Sequence, residues 1–172
     1  QVKRKYQERF VWESIRPETP VFLMDSVLTQ EQSDAVINLN SGVKVEMDAN
    51  SLVEIDLVDD QVGLRLNQGG IVASGQKGQK AVIASKDGTK VDVSSGKARL
   101  NQDDKGLSVS VHKGRVVMSS REGQEHQLTE GKTAHVDSSG QVRKGQIAVE
   151  LLSPNNGRTL AIPAGKPKRL EF

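Results

Sequence analysis

The sequence has no cysteine, few aromatic residues and no long apolar run. Without cysteine there is no disulfide, no thiolate nucleophile and no Cys-bearing zinc site. Aromatic residues make up 3% of the 172 positions and Trp12 is the single tryptophan, so a core has to be filled by Val, Ile, Leu and Ala. Nothing approaches the roughly 18 consecutive apolar residues of a membrane-spanning helix. Charge is not in surplus: 24 Lys and Arg against 22 Asp and Glu leave +2. Carboxylates are interleaved with the cations, so the clustered cationic surface that phosphates need is not implied, and nucleic acid is not expected as a partner. Prolines number 5 and glycines 16, the punctuation of many short strands joined by tight turns. The length suits one domain, or one domain with a fragment of another at an end.

The clearest pattern runs from Ala35 to Asp60, AVINLNSGVKVEMDANSLVEIDLVDD. Val43, Val45 and Met47 alternate with Lys44, Glu46 and Asp48. After the polar break Asp48-Ala49-Asn50-Ser51 the alternation resumes, with Val53, Ile55 and Leu57 on one side and Glu54 and Asp56 on the other. A period of two places apolar groups on one pleat face and charges on the other, as in a strand with one wet face. The unit reads as strand, turn, strand, and its polar face carries ordinary solvating charges.

Before it, Lys3-Arg4-Lys5 leads to Phe10-Val11-Trp12. With Glu8 and Glu13 intervening, these residues read as a first, partly exposed strand whose long cationic side chains lie along apolar surface. The two prolines of Arg16 to Pro20 end that element, and Val21-Phe22-Leu23-Met24 reads as a short, strongly buried strand. After it, Val62 to Ser74 reads as strand, glycine turn, strand, with Leu64 and Leu66 inward and Gly69-Gly70 in the turn.

Asp25 to Leu57 carries a family pattern. MDSVLT, a polar turn, AVINLNSG and VKVEMDANSLVEID resemble the ferric citrate regulator (FecR) domain family, whose pattern runs G-D-x-[IV]-x-T, a turn with a small residue, A-x-[IV]-x-[LF]-x-D-G-[ST]-x-[IVL]-x-[LM], then S-x-[IVL]. On that comparison Asp25 and Thr29 take the D and T positions, Ser33 and Ala35 the S-x-A positions, Gly42 the turn glycine and Ser51 the serine that opens the next strand. Met24 stands where the family usually has Gly, and Asn40-Ser41-Gly42-Val43 replaces the usual Asp-Gly-Ser/Thr ending. The resemblance extends over approximately Val2 to Val142. It implies a periplasmic or otherwise extracytoplasmic module that recognises protein; in the best-known systems such domains receive a signal from an outer-membrane transporter and pass it to a sigma factor.

Ala81 to Met118 repeats the theme. KAVIASKDGTKVDVSS sets against DAVINLNSGVKVEMDA, with Gly88 in the place of Gly42, and GLSVSVHKGRVVMS sets against QVGLRLNQGGIVAS, with Gly114 in the place of Gly70. A period of about 45 residues is too long for one solenoid coil of about 20, so each repeat spans two coils or a hairpin pair. The expected fold is all-β: short antiparallel strands in a repeat-built wrapped sheet, solenoid-like or sandwich-like, with little or no helix. Residues 1–147 form that β domain. Residues 148–172 form an extended segment in which VELLSPNNG, LAIP and the last residues look like the opening of an immunoglobulin-like sandwich. The Gln start suggests an upstream segment, and the unfinished sandwich suggests continuation past Phe172.

No residue pattern supports catalysis or a resident cofactor. His112, His126 and His135 stand apart and read as solvent-facing. The acidic pairs Asp59-Asp60 and Asp103-Asp104 lack the oxygen ladder of a calcium loop and read as turn formers. No serine lies in a nucleophile elbow. The expected function is a non-catalytic envelope module working by protein contact, as scaffold, adaptor or signal sensor. The alternative is a carbohydrate or peptidoglycan binding module, for which Tyr6 and Trp12 are the candidate interaction residues.

Overall fold

A computed structural model of the chain describes residues 1–7, 9–147, 149–152 and 159–162. All of its regular elements are strands: β1 (Val2–Lys5), β2 (Glu13–Ser14), β3 (Ser26–Thr29), β4 (Ala35–Asn38), β5 (Lys44–Met47), β6 (Leu52–Val58), β7 (Gln61–Gly75), β8 (Val82–Ser85), β9 (Lys90–Asp103), β10 (Gly106–Ser119), β11 (Glu125–Thr129), β12 (Lys132–Asp137), β13 (Val142–Gln146), β14 (Val149–Leu152) and β15 (Thr159–Ile162). The fold is all-β, and its sheet does not close into a barrel.

Three strands, β7, β9 and β10, are much longer than the rest and each serves two layers. The first half of β7 pairs with β6 and, in parallel, with β8, while its second half pairs with β5 and β9. The early part of β9 pairs with β8, and its later part with the second half of β7. Early β10 pairs with β12 and late β10 with β11. One layer therefore runs β2, β1, β3, β6, early β7, β8, early β9, late β10, β11, and the other runs β4, β5, late β7, late β9, early β10, β12, β13.

The alternation explains why the layers stay together. Val53, Ile55, Leu64, Leu66, Val91 and Met118 from the first layer join Val45, Met47, Ile71, Leu100, Val109 and Val136 from the second in one buried cluster. It is an aliphatic core that holds no aromatic side chain among the described residues.

Four hairpins turn in the same way. At Leu39, Ser85, Ser120 and Asp137 the backbone N–H donates to the carbonyl four residues on, at Val43, Thr89, Gln124 and Gln141, while the carbonyl of the same residue accepts from Gly42, Gly88, Gly123 and Gly140. Each of those glycines has a positive φ, between 82° and 91°, the geometry of a turn ended by one left-handed residue.

Three local expectations are corrected. Phe22 and Leu23 are exposed, and Leu23-Met24 is a turn; the Phe22 N–H is drawn to the Asp25 carboxylate at 2.6 Å, which bends the chain where a strand was expected. Gly69-Gly70 is no hairpin turn: β7 runs through it, and the positive φ of Gly69 (85°) serves the bend from one layer to the other. Leu57, expected inward, is 52% exposed, while Val58 packs with Val82 and Ala84 in a small second cluster.

Beyond the main sheet, β14 and β15 pair with each other as a separate two-stranded sheet. The last extended piece, Pro167 to Phe172, lies outside the described residues.

Candidate functional site

The residues that carry the family pattern fall at three places: Asp25 before β3 and beside β1, Thr29 and Ser51 where β3 and the start of β6 meet the bend of β7, and Ser33, Ala35 and Gly42 along the turn and hairpin that follow. Asp25 is 3% exposed and forms an ion pair with Arg4, itself 3% exposed. Its Oδ2 also accepts the Phe22 N–H, and the Arg4 guanidinium donates to the Pro20 carbonyl at 2.7 Å. Inside a low-dielectric interior such a pair persists only when the remaining donors and acceptors are met. Among the described residues Arg4 Nε has no hydrogen-bond partner.

Thr29 and Ser51 are fully buried. The Thr29 hydroxyl donates to the Asp48 carbonyl at 2.6 Å and accepts the Ser51 N–H at 2.9 Å. The Ser51 hydroxyl donates to the Gly70 carbonyl and accepts the Gly70 N–H, both at 3.0 Å. These bonds satisfy backbone groups that the bend of β7 takes out of the ladder. A side chain at Gly69 would not fit beside them, since its Cβ would lie 2.7 Å from the Asn50 carbonyl oxygen.

Ser33 donates to the Gln30 carbonyl at 2.7 Å and lies 3.2 Å from the carbonyl of Gln1, closing the turn before β4. Ala35 is partly buried against the main core, and Gly42 ends the β4–β5 hairpin. The six residues stand at separate points of the framework, and none points a free polar atom into a cavity.

Tyr6 and Trp12 sit on the β1–β2 hairpin. The Arg4 guanidinium lies over the Tyr6 ring, 3.9 Å from its centroid, with that of Arg9 at 5.3 Å. The ring is therefore engaged by cations. The Lys5 ammonium is 5.6 Å from the Trp12 centroid, and beyond Trp12 the loop exposes Val11 by 65% and Phe10 by 99%.

Of the histidines, His112 is exposed and His126 and His135 are half-buried. Ser108 Oγ and His135 Nδ1 are 3.0 Å apart across β10 and β12. This is a nucleophile-and-base contact in form, yet among the described residues no carboxylate bonds the imidazole, and neither residue lines either of the clefts described below. A cross-strand polar pair on a wet sheet face accounts for it. No group of three His, Cys, Asp or Glu able to hold a metal ion occurs among the described residues.

The acidic pairs make turns. Asp59 and Asp60 have φ of 52° and 59° and form the two-residue connection of β6 to β7, while Asp103 Oδ1 accepts the Lys105 and Gly106 N–H groups at 2.8 and 3.1 Å. Two carboxyls titrate below their ordinary range. Glu46 is lowered by the hydrogen bond and charge of Lys44, 2.7 Å away, with Lys97 adding to it. Asp137 is lowered chiefly by the Ser139 hydroxyl at 2.6 Å and the Gln141 N–H at 3.0 Å.

Open clefts among the described residues include the following pair. One, of about 520 Å³, is lined by Gln1, Thr29, Gln30, Glu31, Asn50 and Gln68 among others. The other, of about 610 Å³, lies between β11 and the β12–β13 hairpin and is lined by Leu128, Lys132, Thr133, Lys144 and neighbours. Neither gathers a nucleophile, a base and an anion-stabilising group.

Sequence reasoning missed Arg4. Its only signal is Arg, and not Lys, at the inward position of an alternating strand, where a planar fork of donors can meet a buried carboxylate.

Comparison with known proteins agrees with this geometry. Two crystal structures of a protein from Parabacteroides distasonis ATCC 8503, provisionally named an anti-sigma factor, superpose with a TM-score of 0.59 at 16% identity. They match 70% of this chain, which spans 59% of theirs, and the likeness shows a shared fold. No curated protein matches the chain. The FecR protein family model matches residues 25–117, a narrower stretch than Val2 to Val142. That stretch is more than half of the chain and holds every motif residue from Asp25 to Ser51, so the chain belongs to the FecR protein family.

Proposed function

We propose that the protein is a non-catalytic, extracytoplasmic module of the bacterial envelope that senses or relays a signal by binding another protein along a sheet edge. Family membership supports a regulatory, non-enzymatic role. In this reading residues 1–147 are the binding domain, and the residues from 148 onward belong to a second part of the chain. Among the described residues no helix is long and apolar enough to cross a membrane.

The observation that carries the reading is the free edge at β4. Among the described residues this strand pairs with β5 alone, in the register Val36↔Glu46 and Asn38↔Lys44. Because Leu39 N–H bonds the Val43 carbonyl, the antiparallel alternation turns the N–H and C=O of Val36 and Asn38 away from β5. Those groups are available to an added strand, and the 48% exposed Val36 side chain supplies an apolar contact on the same edge.

The test is photo-crosslinking in cells from a reactive residue at position 36 of the full-length protein, with and without Asn38→Pro. The Asn38 N–H makes no sheet bond, so proline there spares the fold while blocking an added strand. A discrete protein adduct that disappears with Asn38→Pro is expected. An adduct that survives that substitution, or glycan strands as the sole catch, would refute strand addition at β4.

A further inference from the structure

We propose that the β1–β2 hairpin is a lipid-surface contact, with Phe10 and Val11 entering the boundary between headgroups and acyl chains of an anionic bilayer and Lys3 and Lys5 placed on its phosphates. The inference goes beyond protein recognition at β4 and rests on different residues.

Arg4 faces the interior with Asp25, which by the pleat of β1 turns Lys3 and Lys5 to the other face. Arg9 is held by Glu13 at 2.9 Å. In the β1–β2 register Lys3 lies opposite Ser14, and Lys5 lies over Trp12. The loop then reverses through a bond from Arg9 N–H to the Tyr6 carbonyl. Past that turn, on the arm that returns to β2, stand Phe10 and Val11, the two most exposed large apolar residues among those described.

From the end of that turn toward the base, the hairpin runs apolar pair, tryptophan, lysines. That order matches the order across a leaflet: hydrocarbon, interface favoured by Trp, phosphate. A protein pocket for Phe10 would need no such gradient. Cationic groups near an anionic surface add to the attraction and make it dependent on salt.

Trp12 is the only tryptophan, so its fluorescence reports on the hairpin alone. The full chain is titrated with vesicles of phosphatidylglycerol and phosphatidylcholine in equal parts, with vesicles of phosphatidylcholine alone, and with purified sacculi. With the anionic vesicles a blue shift and quenching by chain-brominated lipid are expected, both weakened by salt. Phe10→Ser lowers partitioning about tenfold or more, and Lys3→Gln with Lys5→Gln lowers it by a similar factor. Phe10 is almost wholly exposed, so Phe10→Ser folds normally, as circular dichroism and an unchanged urea midpoint verify. Unchanged emission with anionic vesicles overturns the proposal. So does binding that ignores both variants, or a response to sacculi but not to vesicles.

Discussion

Arg4 and Asp25 form an ion pair whose side chains are 3% and 4% exposed, and it ties β1 to the residue that opens β3. The pair links the strand before the family-matched stretch to the first residue of that stretch. Its removal in halves is the informative experiment. Asp25→Ala leaves a buried guanidinium unpaired and should cost about 3–5 kcal/mol, as should Arg4→Ala. Replacing both with apolar residues, Arg4→Met and Asp25→Leu, should cost much less than the two single losses together. Urea unfolding of the four proteins measures the coupling. Additive losses of under about 1 kcal/mol each would mean that the pair is solvated and does not hold β1.

The Ser51 hydroxyl should matter more than its size suggests. It both accepts from and donates to the backbone of Gly70, at the point where β7 passes between layers. Ser51→Ala strands the buried Gly70 N–H, while the Gly70 carbonyl keeps the Asp48 N–H, and should cost about 1–3 kcal/mol. Hydrogen exchange gives a sharper readout: the Gly70 amide should lose protection while amides near Leu64 keep theirs. Equal loss everywhere would point to a general core defect and not to a pinned bend.

Met24 has a φ of 67°, at the position where the family pattern has glycine. A side chain in the left-handed region costs roughly 1–2 kcal/mol, against the roughly 0.4–1 kcal/mol that glycine loses through a freer unfolded chain. Met24→Gly should therefore stabilise the protein by up to about 1 kcal/mol, keeping the Met24 N–H bond to the Ile55 carbonyl. Met24→Ala keeps the strain and removes the side chain, so it separates the two effects. If both variants lose stability equally, side-chain contacts outweigh the backbone.

The all-β class, the pleat of Val43 to Met47 and the inward set Val53, Ile55, Leu64 and Leu66 were legible because a period of two fixes which face is buried whatever the partner is. Leu57 escapes the same rule because burial also needs a facing layer. Gly69-Gly70 could be placed as a point of positive φ, yet a hairpin turn and a strand bend ask the same of a glycine. Only pairing with β5 and β9, distant in sequence, decides between them. Val21 to Met24 misled because a run of four apolar residues has no period. The Asp25 carboxylate and the Met24 backbone set its course. Among the site residues, Asp25, Thr29 and Ser51 were found by resemblance, and their bonding partners, Arg4 and the Gly70 backbone, were not written near them.

The turn at Asp137 offers a pH-dependent test. Its carboxylate accepts from the Ser139 hydroxyl, the Ser139 N–H and the Gln141 N–H, which stabilises the charged form and lowers the pKa in the folded state. A carboxyl lowered by folding contributes stability that is fully present above its unfolded pKa and is lost as pH falls through the folded one. Asp137→Asn can keep the two backbone bonds but cannot titrate. Unfolding midpoints of the two proteins should therefore differ by a constant amount from neutral pH down to the ordinary carboxylate range, with the parent the more stable, and converge below it. A gap that stays constant into strong acid would show that the charge on Asp137 contributes nothing to the turn.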